Sequence, residues 1–387
     1  MKNLATDTSL QALKAMEFQP LPEKPLVSVL ICSYNYEKLI GKTIESALNQ
    51  TYKNIEIIVC DDGSADNSCG VVEKYLLLDS RVTLIRKENG GQASTLNRAF
   101  QESAGTVICI LDADDLFAPR KIERVLAAFG ENPEAGLVVH PIMLVDSNGT
   151  AIQPVPLVDN FEEGWLAERV VRRGGRLRLM PASTLSFRRE LGRYIFPIPG
   201  RIFSPDGFIC SLLPLFTQVA VVREILADYT MHDANSSSLL RDFTTPEKGV
   251  NTTVRYLAQL EEVITTVNGK LESLGIGPVR IDITNNLDYR IRQFSLYLLQ
   301  GKDFLFLVKS FRSLAPILVG DTLYTPLQRF IFFSVYLAAI PLPAGLRMWC
   351  VGRLHPPNKL KFRMLSFLGK FGGFFRRIST RNSLCGK

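Results

Sequence analysis

The chain has 387 residues, 46% of them hydrophobic and 21% charged, enough to bury at least one full-sized core and too apolar for a disordered protein. Its formal net charge of +7 does not point to nucleic acid, because ten Lys or Arg and no Asp or Glu fall between Arg347 and Lys387, leaving the remainder slightly acidic. Seven cysteines without CxxC spacing argue against a disulfide framework, and the first 24 residues lack a signal-peptide core, so a reducing, cytoplasmic setting is expected.

In chain order, residues 1–24 form an N-terminal extension. Three apolar runs rich in β-branched residues follow: Leu26 to Cys32, Ile55 to Cys60 and Thr106 to Leu111, with a shorter run at Arg81 to Ile85. Segments with helical period separate them, marked by Ile40, Ile44 and Ala47, then Val72 and Leu76, then Leu96 and Phe100. This alternation predicts a doubly wound, mostly parallel sheet with right-handed crossovers. A helix is expected from Pro119 to Phe129 and a strand from Ala135 to His140, whereas the stretch from Gly175 to Phe196 reads as an insertion with strand and helix parts.

The helical period dominates from Thr245, so an α/β domain is bounded at 25–240 and a helical region at 241–325. Phe330 to Leu346 carries no charge but holds Pro341 and Pro343, and the tail after it interleaves Arg and Lys with Met364, Leu365, Phe367 and Phe371. Residues 326–387 are therefore expected to associate with an anionic membrane surface without spanning it, giving a peripheral protein on the inner face.

Polar clusters follow each long strand: Ser33 to Asn35, Asp61 to Asp66, and Asp112, Ala113, Asp114, Asp115. Parallel strands place their C-terminal ends on one edge, where open α/β sheets bind ligands. Three carboxylates in four residues repel one another unless a cation intervenes. A hard divalent ion, Mn²⁺ or Mg²⁺, that also grips a diphosphate is the economical partner; helix capping accounts for one carboxylate, not three. Asp62 can accept from a nucleobase on which Tyr34 stacks.

These stretches, from "VSVLICSYNYEKLIGKTIESALNQTYKNIEIIVCDDGSADNS" through "NGGQASTLNRAFQESAGTVICILDADD", resemble the N-terminal half of a family 2 glycosyltransferase. The resemblance runs from about Pro25 to Leu126, with "DADD" in the place of the family's metal-binding DxD. It implies an α/β, GT-A fold: a Rossmann-like, mostly parallel sheet flanked by helices, followed here by a helical C-terminal region. It further implies inverting, metal-dependent transfer of a sugar from a UDP-, GDP- or dTDP-sugar to a saccharide or lipid-linked acceptor hydroxyl.

By position, Ser33, Tyr34, Asn35, Asp62, Gly91, Gln92 and Asp112 would bind the donor, and Asp114 the metal with help from Asp115. The second half matches more loosely. "SPDGFICSLL" puts Asp206 in the place of the catalytic base, with Pro205 where the family often has glutamate, and "YTMHDANSSS" offers His232 as a further metal ligand. Cys32 and Ser33 stand where Pro and Thr are frequent, which leaves the base preference open. Two other readings are a sugar nucleotidyltransferase, disfavoured because "SYNYEKLIGK" is not a triphosphate-gripping loop, and a catalytically degenerate scaffold at the membrane. A nicotinamide enzyme is disfavoured because no GxGxxG follows any strand.

Overall fold

The computed structural model describes residues 10–11, 13–155, 161–177, 181–232, 246–320, 326–343, 346–347 and 351. The basic tail with Met364 to Phe371 and the "NSSS" of residues 235–238 lie outside the described residues.

The first third alternates as its apolar pattern dictates: β1 (Val27–Ser33), α1 (Ile40–Leu48), β2 (Ile55–Asp61), α2 (Ser68–Leu78), β3 (Val82–Arg86), α3 (Gly91–Glu102) and β4 (Val107–Asp112). Successive side chains of a strand point to opposite faces, and both faces here are covered. Val27, Val29 and Ile31 join one core with Ile40, Ile44 and Ala47 of α1. Leu30 joins the other with Leu96 and Ala99 of α3.

Beyond β4 come β5 (Leu116–Phe117), α4 (Lys121–Glu131), β6 (Ala135–Val139), β7 (Ile142–Val145), β8 (Ala151–Val155), α5 (Ala167–Arg172), β9 (Ser186–Arg188), α6 (Gly192–Ile195) and α7 (Pro205–Leu212). They are followed by β10 (Gln218–Val221), β11 (Ala227–Thr230), α8 (Pro246–Ser273), α9 (Leu287–Leu299), α10 (Phe304–Gly320) and α11 (Pro326–Ala339). The main sheet has seven strands in the order β10-β6-β9-β4-β1-β2-β3, and a four-stranded sheet runs β5-β11-β7-β8.

One expectation is corrected. Part of the stretch read as an insertion is β9, an antiparallel strand between β4 and β6 in the main sheet, pairing Ser186 with Cys109 and Phe187 with Leu137. At three residues it is too short to show a period of its own. The next residue inward is held by chemistry that composition hides: Arg188 is buried, donating to the carbonyls of Ala135 at 3.0 Å and Gln19 at 2.9 Å, with the Phe18 and Phe129 rings beside its guanidinium. That bond also anchors the N-terminal extension.

The described residues form two compact units: one comprises those up to His232 together with Ala258–Tyr289, the other 246–257 together with those from Arg290 onward. In the second, Phe294 lies 5.7 Å from Phe311 and 5.2 Å from Tyr336, whose hydroxyl pairs with Ser295 at 2.8 Å. Helix α11 ends at Ala339, just before Pro341 and Pro343, the residues expected to stop it.

Candidate active site

Strand register brings the polar clusters to one edge. Cys32 pairs with Cys60 and Asp112, and Ser33 with Asp61, so β1, β2 and β4 all end at the same level. The loops that leave them are tied to one another. Asn35, in left-handed conformation at φ 60°, donates its N–H to Ser64 Oγ and accepts from the Ala65 N–H through Oδ1, both at 2.8 Å. Gly63, at φ +77°, makes the tight turn after Asp62, where a Cβ would meet Asn89 N at 3.1 Å and Lys87 O at 3.2 Å.

The donor-side residues separate into groups. Tyr34 is 46% exposed and presents an open ring face at the strand edge. Ser33 is buried, and among the described residues its hydroxyl has no hydrogen-bond partner, the condition of a polar atom that a ligand satisfies. Asp62 is committed to the protein: Lys87 Nζ and the Gly90 N–H bond one oxygen, the Gly91 N–H the other. Burial raises its pKa, yet these donors prevail and hold its carboxyl below the usual value. Gln92 Nε2 donates to Asp112 Oδ1 at 3.1 Å.

The three carboxylates of "DADD" face three ways. Asp112 touches Gln92, and burial, then the charges of Asp114 and Asp206, push its pKa well up. Asp114 Oδ2 receives the Tyr36 hydroxyl at 3.3 Å and lies 2.9 Å from His232 Nε2, whose ring meets Tyr36 edge-on at 6.1 Å. Asp115 is fully buried and turned inward, accepting from the Ser183 hydroxyl at 2.5 Å and the Thr230 N–H at 3.2 Å. Burial and its two neighbouring carboxylates raise its pKa as well.

Asp206 comes from the start of α7, where Pro205 occupies the first turn. Its Oδ1 accepts from the Ser204 hydroxyl and, at 2.9 Å, from the Gly207 N–H; burial outweighs both and raises its pKa. Its charge is one of the influences that raise the Asp112 pKa.

For a divalent cation, Asp114 offers the hard carboxylate oxygen that Mn²⁺ and Mg²⁺ prefer, and the adjacent His232 imidazole offers a borderline nitrogen that matches Mn²⁺ better than Mg²⁺. Among the described residues no group of three or more His, Cys, Asp or Glu side chains converges as a complete metal cage. Two protein ligands fit an ion that shares its remaining positions with substrate phosphates.

Several site residues escaped the sequence reading. Tyr36 stands two residues after Tyr34 with nothing in the pattern to distinguish it. Ser183 lies in the least periodic stretch, yet its hydroxyl accepts the Asp112 N–H at 3.0 Å as well as donating to Asp115. Lys121, buried over the Phe117 ring, donates to Ser183 O at 2.8 Å. Ser204 had a readable signal: a serine directly before a proline that opens a helix.

Carboxylates and an exposed aromatic ring thus stand at the C-terminal edge of the sheet, the place where open α/β enzymes bind their ligands. Residues 28–193 match the family model described as Glycosyl transferase family 2. An uncharacterised glycosyltransferase of Nostoc sp. is 31% identical over 268 residues, covering 68% of this chain and 81% of that one. The chain belongs to glycosyl transferase family 2. A shorter match, 44% identical over 98 residues, is to the Escherichia coli UDP-Glc:alpha-D-GlcNAc-diphosphoundecaprenol beta-1,3-glucosyltransferase WfaP, over 25% of this chain and 38% of that one. Among solved structures, residues 1–349 of S. aureus TarS in complex with UDP-GlcNAc are 16% identical, covering 84% of this chain and 90% of that one, with a TM-score of 0.49.

Proposed function

We propose that the chain transfers a glycosyl group, with inversion, from a nucleoside diphosphate sugar to the hydroxyl of a saccharide or lipid-linked acceptor in surface polysaccharide or glycolipid synthesis. The observation that carries this reading is the Asp114–His232 pair, 2.9 Å apart, beside the sheet edge at which strand register brings Ser33, Asp61 and Asp112 to one level. Asp206, whose charge is felt at Asp112, supplies the base.

In this reading Asp206 takes the acceptor proton; the acceptor oxygen attacks the anomeric carbon from the face opposite the diphosphate, whose bond to that carbon breaks. Burial keeps Asp206 a stronger base than an exposed carboxylate, which favours proton transfer near neutral pH. Tyr34 stacks on the base, Ser33 and Asp112 face the donor, and Asp62, with Asn35, Gly91 and Gln92, shapes the wall they stand on. Asp114 and His232 would hold a divalent cation, Mn²⁺ or Mg²⁺, which when bound would supply positive charge against the diphosphate. The basic tail and the diphosphoundecaprenol-linked substrate of the Escherichia coli relative support a lipid-linked acceptor at the inner membrane face.

The test is a thermal-shift series with UDP-, GDP- and dTDP-sugars, with and without Mn²⁺, followed by donor turnover in Asp206→Asn. One donor should stabilise the protein only with metal, and the variant should lose on the order of 10²–10⁴ in kcat while still binding donor. Absence of any metal-dependent stabilisation, or unchanged turnover in the variant, overturns the assignment.

A further inference from the structure

Helix α10 presents two stripes. Leu307, Phe311, Leu314 and Leu318 are buried, at the i, i+4, i+7, i+11 spacing of a core-facing helix. The opposite stripe has the same spacing: Leu305 is 77% exposed, Lys309, Arg312 and Pro316 are exposed, and Val319 is 61% exposed. Phe304, at 54% exposure, stands beside it. A helix turned to water carries polar residues on its outer face. This one shows large apolar side chains and two cations, with no acid.

Helix α11, which packs on α10, continues the pattern. From Phe330 to Ala339 it has no charged residue, and Phe330 and Leu337 are 67% and 50% exposed although Tyr336 on the inner side is fully buried. We infer that the outward faces of α10 and α11 form a docking surface for an anionic lipid bilayer, on which the helices lie without crossing it. This inference rests on, and makes specific, the membrane-side reading above.

Three observations select a bilayer as the occupant. From Phe304 to Lys387 the sequence holds 13 Lys or Arg against one acid, Asp321, so the face and the chain continuing from it attract anionic headgroups. A second copy meeting on the same face would bring like charges together and is disfavoured. No helix among the described residues is long and apolar enough to cross a membrane. The 14 residues of α11 extend about 21 Å, short of the roughly 30 Å hydrocarbon core. Buried to the headgroup boundary, such an amphipathic pair gains from both apolar insertion and charge. Arg347 is excluded from the lipid-facing set, because its guanidinium donates to the carbonyls of Lys302 and Ile340, each at 3.0 Å.

The experiment is flotation of the full chain with vesicles of phosphatidylcholine alone or mixed with phosphatidylglycerol. The wild type should float with the anionic vesicles only, and less as salt is raised. Leu305→Asp/Phe330→Asp should bind them on the order of a hundredfold more weakly, about tenfold for each of the two apolar side chains withdrawn. Lys309→Glu/Arg312→Glu, which leaves the apolar residues in place and serves should the first variant misfold, should lose part of the binding and of its salt dependence. Wild-type binding to neither vesicle overturns the proposal, as does undiminished flotation of both folded double variants. A wild-type dimer dissociated by Leu305→Asp/Phe330→Asp without change in flotation overturns it in favour of self-association. Donor-induced thermal shifts recorded on the same variants report the sugar-nucleotide site separately, so failure of either reading is visible without the other.

Discussion

Asp62 sits on the N-terminus of α3, its Oδ2 accepting the Gly91 N–H at 2.8 Å. The Gly90 N–H reaches its other oxygen at 2.9 Å, and Lys87 completes the cluster. The anion that a helix N-terminus favours is here supplied by the protein's own β2 loop. Under the proposed function the diphosphate charge of a donor would then fall to the Asp114–His232 pair. Asp62→Asn removes the charge that Lys87 and two amides are built around, in a place where Asp62 is only 4% exposed. It should destabilise the chain by about 2 kcal/mol and weaken donor binding together with it. Denaturant unfolding and donor titration check this; an unchanged unfolding midpoint would refute the locking role.

Tyr36 holds Asp114 through its hydroxyl, which donates to Asp114 Oδ2 at 3.3 Å. Burial and the Asp114 charge push the phenol pKa far up, so it stays a donor at every working pH. Tyr36→Phe should leave the fold intact and raise the Mn²⁺ concentration needed for half-maximal donor turnover by about tenfold, the scale of losing a residue that orients a ligand. At saturating metal, kcat should return close to wild type. An unaltered metal titration would show that Asp114 is oriented without it.

Ser183 serves two masters inside the same loop cluster. Its hydroxyl accepts from the Asp112 amide and donates to Asp115, which has no solvent exposure to compensate a lost bond. Ser183→Ala should cost about 3 kcal/mol, since it strands a backbone donor and a buried carboxyl oxygen at once. The measurement is the urea midpoint at constant m-value, where a shift corresponding to less than about 1 kcal/mol would contradict the pairing.

What the sequence made legible was the part written in periodic residues. The strands β1, β2 and β4 and the convergence of Ser33, Asp61 and Asp112 follow from β-branched runs ending in polar clusters, because parallel pairing leaves one alignment that buries both faces. What stayed hidden is non-local. β9 is short and antiparallel, so only its partners Cys109 and Leu137 reveal it as a central strand. The division of labour among Asp112, Asp114 and Asp115 depends on Gln92, His232 and Ser183, which come from separate loops. Repulsion among the three was foreseeable, but which of them turns inward was set by the position of β11, whose Thr230 amide meets Asp115.

Lys121 supplies the clearest pH signature. It is fully buried, and burial lowers its pKa to about 7 against the opposing pull of Cys109 and Asp115, while His140, equally buried, is pushed toward its neutral form by burial and by Lys121. A lysine in the unfolded chain keeps its proton to roughly pH 10. Between about pH 7 and 10 the unfolded state therefore binds more protons than the native state, and the Lys121 contribution makes stability rise with pH across that window. Below about pH 7 both states are protonated and the desolvation penalty is present in full. Lys121→Met keeps the packing over Phe117 and removes the titration. The variant's stability relative to wild type should be most favourable near pH 6 and should decline as the pH approaches about 10. Denaturant unfolding of both proteins at about pH 6, 8 and 10 reads this difference directly. A gap that stays constant with pH would mean that Lys121 keeps its proton in the folded chain, held by the Asp115 carboxylate across the Ser183 loop.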